Sequence, residues 1–167
     1  MHYLAYGSNL HPLRLGLRVP DARLIGTTRL DGWHPVFHKY SKDGSTKCHI
    51  QHTGHAHDVA YGAVFAMPRN QVHRLDAAEG LGAGYNKRSM TVDVDGAPLS
   101  VFTYLADPSY LMPHLLPYHW YKNLVLAGAR YLHFPAAYVA ALQAVASTCD
   151  DDAERRQAMQ ALLQRMQ

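Results

Sequence analysis

The sequence predicts an α+β fold, a small curled mixed β-sheet or barrel with flanking helices. Two observations carry this. Strand-like runs interrupted by glycines fill the first two thirds of the chain, and helical patterns gather after residue 117. A length of 167 residues with 48% hydrophobic content fits one compact core.

The elements follow in chain order. His2 to Tyr6 is short and β-prone and ends at Gly7, which reads as a first strand running into a turn within "YGSNL". "ARLIGTTRLDGWHPVFH" (22–38) holds β-branched and aromatic residues broken by Gly26, Gly32 and Pro35, the pattern of one or two bent strands. "YSKDGSTK" is a turn cluster, "CHIQH" a short strand and "TGHAHD" a loop before the clear strand "VAYGAVFAM" (59–67). Pro68 opens a helical stretch in which Val72 and Leu75 fall at helical spacing and Gly80 is the stop signal, so Glu79 ends that helix. "RSMTVDV" and "LSVFTYLA", joined by "DGAP", form a hairpin. Beyond the Pro-rich loop at 107–117, helices are expected over 118–130, 136–147 and 151–166. In the last, "DDDAE" places negative charge at the favourable N-terminal end of the dipole.

Composition excludes several function classes. A formal charge of +3 with no Lys/Arg run longer than two gives no footprint for nucleic acid, so a small soluble partner is expected. A basic leader and a bilayer-length apolar run are both absent, which predicts a cytoplasmic protein with no membrane partner. Cys48 and Cys149 are far apart and in no metal or redox spacing, as reduced thiols would be.

Two stretches carry the chemistry. Gly7, with access to φ > 0, would with Ser8 and Asn9 aim successive backbone N–H groups into one concavity suited to a carboxylate or a developing oxyanion. An ordinary strand-ending turn has the same composition. "LDAAEGLGAGY" (75–85) sets an acid at a helix end before a bare glycine-rich loop. The dipole there disfavours negative charge and pushes a carboxyl upward from its ordinary pKa of about 4.3, which suits a general base that must return its proton. Asp76, the competing acid, reads as a helix-surface residue.

"YGSNL", "AYGAVFAM", "LDAAEG…GY", "VFTYLA" and "YKNLVLAGA…FPAAY" occur in the order and approximate spacing of the γ-glutamylcyclotransferase (AIG2-like) family, which the chain resembles from Tyr3 to Leu142. The resemblance implies a catalytic domain over 1–147, with 148–167 a C-terminal helix packed on it. It implies that the backbone of Gly7, Ser8, Asn9 and Leu10 holds a γ-glutamyl group and that Glu79 is the catalytic carboxylate. Tyr6, Tyr85 and Tyr121 join the turn as substrate-binding residues. The implied reaction is internal: the α-amine of a γ-glutamyl amino acid or amine attacks its own γ-carbonyl, giving 5-oxoproline and the free amine, with no metal and no organic cofactor. Some members place an aromatic where Asn86 stands, so either Tyr85 takes that role or the pocket differs. A non-catalytic γ-glutamyl or acidic-ligand binding module on the same fold is the alternative.

The rival signals are weaker. "CHIQHTGHAH" offers zinc-, copper- or nickel-type ligands, but on a strand His49 and His52 point to opposite faces, while His55 and His57 could share an ion. "YLMPHLLPYHWY" (110–121) could rim a pocket or cover a sheet edge, with the covering role the better reading. Exposed aromatics such as Trp120 and Tyr131 would serve a weak homodimer if the protein is not a monomer.

Overall fold

The computed structural model describes residues 1–167. Seven strands, β1 (His2–Ala5), β2 (Arg23–Asp31), β3 (Trp33–Tyr40), β4 (Thr46–His52), β5 (Val59–Ala66), β6 (Tyr85–Val94) and β7 (Ala97–Ala106), are accompanied by five α-helices. The helices are α1 (Pro12–Gly16), α2 (Val72–Glu79), α3 (His119–Tyr131), α4 (Ala136–Ala144) and α5 (Ala153–Arg165).

Five strands form one mixed sheet in the order β2-β5-β1-β7-β6, while β3 and β4 pair separately as a ribbon. Only the β1–β7 pairing is parallel, with Tyr3 opposite Phe102. Central β1 is short and buried from Tyr3 to Ala5, so its continuation emerges from the middle of the sheet. The sheet curls until its edges meet: a Cβ at Gly26 of β2 would lie 2.8 Å from Val94 Cγ1 of β6. The bulge between Leu24 and Gly26 supplies the bend. The β6–β7 turn has Asp95 and Gly96 at φ 53 and 82, the twist a tight hairpin needs.

α3 buries one face, with Leu124, Val125 and Ala129 all fully buried, and α5 packs with it through buried Leu162 and Met166. Trp120 therefore lies under the C-terminal segment at 8% exposure, and only Tyr131 of the two expected surface aromatics is exposed. The covering role of the 110–121 segment is seen directly: Met112 N–H donates to His38 O and Thr46 N–H to Leu116 O along the β3–β4 ribbon. α1 has no counterpart among the elements expected from the sequence. Its five residues are too few for a periodic signal, although Pro12 at its start and the His11 ring accepting from Leu13 N–H are recognisable start signals.

Candidate active site

The chain leaving β1 at Ala5 turns at once. Leu10 N–H closes the turn on Gly7 O at 3.1 Å, while the N–H groups of Ser8 and Asn9 have no acceptor in the chain. The Leu10 amide is engaged and its side chain fully buried. One expectation is corrected. Gly7 does not take a positive φ. Its lack of a side chain keeps space open: a Cβ there would sit 3.5 Å from both Cys48 Cβ and Tyr121 Oη.

A narrow recess opens beside the turn, lined by Tyr3, Tyr6, Gly7, Ser8, Asn9, Cys48, Glu79, Tyr85, Tyr104 and Tyr121. Glu79 arrives as the last residue of α2, which Gly80 ends at φ 66. Asn9 Nδ2 donates to Glu79 Oε1 at 2.8 Å, and Arg18 Nη1 donates to the same oxygen at 2.5 Å and to Asn9 Oδ1 at 2.9 Å. Both partners engage Oε1, and Oε2 has no hydrogen bond in the chain. Arg18 thus sets a positive charge against the carboxylate at the negative end of the α2 dipole.

The walls are aromatic and neutral. Tyr6 donates its hydroxyl to Tyr104 O, Tyr85 to Cys48 O at 2.7 Å, and Tyr121 Oη accepts from Cys48 N–H at 3.1 Å. Burial raises the Tyr3, Tyr6, Tyr85, Tyr104 and Tyr121 phenols well above the ordinary tyrosine range and pushes the Cys48 thiol up to about 12. Glu79 is the one carboxyl side chain lining the recess.

Tyr85 lines the recess and Asn86 does not. Asn86 turns away and donates to Asp107 Oδ2 at 3.1 Å. Asp76 is half-buried and tied to Lys87 at 2.6 Å and to the Tyr104 hydroxyl at 2.6 Å, so it supports the recess wall and is not a free surface acid. Of the histidine-rich stretch, His49 is buried and His52 exposed.

The recess continues into an outer cavity of about 190 Å³ that shares Ser8, Glu79, Tyr85 and Tyr121 and adds Arg14, Arg18, Lys39, Ser41, Lys47 and Trp120. Sequence reasoning missed Tyr3, Tyr104 and all four cations. Alternation along β3 held one usable signal, since Lys39 shares the buried face with Phe37.

A family model for the AIG2-like family matches residues 59–142, half of the chain. The chain belongs to the AIG2-like family. It is 28% identical over 151 residues to a mouse protein named gamma-glutamylcyclotransferase, covering 86% of this chain and 77% of that one. A human protein of the same name matches to the same extent. Among solved structures, one named gamma-glutamyl cyclotransferase superposes with a TM-score of 0.85 at 24% identity over 99% of this chain and 98% of its own. An uncharacterized human protein gives 0.82 at 25% identity over 98% and 97%. The two structural matches, at 98% or more of the chain, take in α5, which no sequence motif covers.

Proposed function

We propose that this member of the AIG2-like family is a γ-glutamylcyclotransferase acting on a small soluble γ-glutamyl substrate in the cytoplasm, with Glu79 as its acid–base group. The activity reading has the support of the two curated relatives and the fold match. The single observation that carries the mechanism is the placement of Glu79. It is held through one oxygen by Asn9 and Arg18, with the other oxygen free, beside a turn whose Ser8 and Asn9 amides are unengaged.

The chemistry suits those parts. A γ-glutamyl compound carries its nucleophile and electrophile on one chain, so the protein has to fold it, deprotonate the α-ammonium and hold the charge that develops on the γ-carbonyl oxygen. A bond forms between the α-nitrogen and the γ-carbonyl carbon, and the bond from that carbon to the leaving nitrogen breaks. In sum, two protons pass from the α-nitrogen to the departing amine, and one carboxylate can take and return each. The Ser8 and Asn9 amides supply donors to the oxyanion, a role worth about 3 kcal/mol per donor in sites of this type. Tyr6, Tyr85 and Tyr121 close the recess around the glutamyl chain, and residues 148–167 brace the catalytic domain from outside. The free Cys48 and Cys149 fit a reducing compartment.

The test is to incubate the purified protein with γ-glutamyl amino acids and γ-glutamylamines and follow 5-oxoproline by mass spectrometry. Enzymatic product from at least one compound is expected. A γ-glutamyl ligand that binds yet survives overnight unchanged would replace the reading with a binding module.

A further inference from the structure

Two cations at the mouth of the recess form no ion pair, although Glu79 and Asp43 lie near enough to act on Lys39 and Glu79 on Arg14. Of the four lining the outer cavity, Arg18 is matched by Glu79, and Lys47 by Asp43 at 2.6 Å. Lys39 is 6% exposed and its ammonium donates no hydrogen bond within the chain. It rests 4.5 Å over the Tyr85 ring. Gly84 makes room for it: a Cβ there would lie 2.6 Å from Lys39 Cε and 2.9 Å from Nζ. Arg14 Nε is buried with no hydrogen-bond partner. Burial draws the Lys39 ammonium below the ordinary lysine range and Arg14 down to about 10.

Burying a cation without a partner is costly, and a wall with two of them facing one cavity is complementary to an anion. The reaction proposed above says which part of the substrate reaches that cavity. Glu79 has to serve both the attacking and the leaving nitrogen, so the glutamyl chain lies on the recess side of Glu79 and the leaving amine extends outward past Tyr85 and Tyr121, the residues common to both spaces.

We propose that Lys39 and Arg14 form an anion subsite that selects γ-glutamyl conjugates whose leaving amine carries a carboxylate, with acidic amino acids, which carry two, favoured most. This rests on the cyclotransferase reading and extends it to the leaving group. γ-Glutamyl aspartate or glutamate is the best substrate, neutral γ-glutamyl amino acids come next, and γ-glutamylamines with no carboxylate are poorest. Ion-paired hydrogen bonds of this kind discriminate by about tenfold or more per carboxylate.

The test compares kcat/KM for γ-glutamyl-aspartate, γ-glutamyl-alanine and γ-glutamyl-ethylamine in the wild type, Lys39→Met, Lys39→Arg and Arg14→Gln, with thermal melts to confirm folding. A wild-type preference in that order is expected. The aspartate-to-ethylamine ratio should fall about tenfold or more in Lys39→Met and Arg14→Gln and recover in Lys39→Arg. An equal loss on all three compounds would overturn the subsite, because the cations would then read the α-carboxylate common to every substrate. An unchanged ratio would overturn it as well. If no compound is turned over, the cyclotransferase reading fails by itself, and calorimetric titration of the same compounds decides the subsite. Tighter binding of γ-glutamyl-aspartate that is lost in Lys39→Met upholds it, and equal affinities reject it.

Discussion

Two carboxylates in this molecule meet an arginine at the same distance and are otherwise unlike. Asp150, at the start of the C-terminal segment, and Glu79, at the end of α2, each lie 2.5 Å from a guanidinium nitrogen. Asp150 is sealed. Its Oδ1 accepts from Arg155 Nη2 and Asp152 N–H, its Oδ2 from Arg155 Nε and Trp120 Nε1, and its side chain is fully buried. Glu79 gathers both donors on one oxygen and stands beside an open recess with the other unengaged. The first pair clamps the C-terminal segment onto α3. The second holds a carboxylate in position while leaving it able to act. The ion pair itself does not distinguish a structural acid from a working one; the unused acceptor does.

This contrast can be broken or sharpened at several points. The largest effect falls at the clamp. Asp150→Asn removes the buried carboxylate, leaving Arg155 only Asp152 at 3.3 Å, and is expected to cost about 2 kcal/mol, a melting point lower by roughly 6 °C, with activity per folded molecule retained. Arg155, then Trp120 and the Asp152 amide, hold the Asp150 carboxyl well below the usual carboxylate range. Its folded pKa lies under the unfolded value of about 3.9, so the contribution is complete above that pH and drains away as pH falls below it. Melting points of wild type and Asp150→Asn should accordingly converge in acid. A gap that stays constant down to the acid limit would contradict the ionic account of the clamp.

Gly7→Ala should behave in the opposite way. The added methyl meets Cys48 and Tyr121 at ordinary contact distance, so the melting point should stay within about 2 °C. Because the same methyl occupies the recess, kcat/KM should fall about tenfold, a misplacement effect. A large loss of stability would show that Gly7 serves the fold and not the site. The smallest change is expected from Tyr85→Phe, which removes the donor to Cys48 O and should cost about 1 kcal/mol in denaturant unfolding. A stability cost near zero would mean that this hydroxyl is not part of the buried network.

Where the information was local, the sequence showed it. The strand at 59–67, the Asp95–Gly96 hairpin and the Gly80 stop signal each depend on neighbouring residues, and each is present. The turn after β1 and Glu79 were also visible, because a bare polar turn and an acid before a glycine-rich loop are short-range patterns. What sequence could not show was assembled across the chain. Arg18 and Asn9 meet Glu79 across 61 and 70 positions, and Asp150 binds Trp120 across 30. Trp120 reads as a surface aromatic until α5 is folded over it. Asp76 reads as an ordinary helix acid until β7 brings Tyr104 to it across 28 positions. The assignment of Gly7 to a positive φ failed for a different reason: glycine serves equally where the backbone must twist and where a side chain would fill a needed space.

The central claim is that the free oxygen of Glu79 moves the protons of an internal acyl transfer, and Glu79→Gln tests it most directly. The amide keeps an acceptor for Arg18 and Asn9 but cannot take a proton. 5-Oxoproline formation from one γ-glutamyl amino acid should be measured by mass spectrometry in the wild type and the variant, with melting curves recorded alongside. The account predicts a rate lower by about a thousandfold in a variant that remains folded. A folded Glu79→Gln protein that forms 5-oxoproline at the wild-type rate would contradict it.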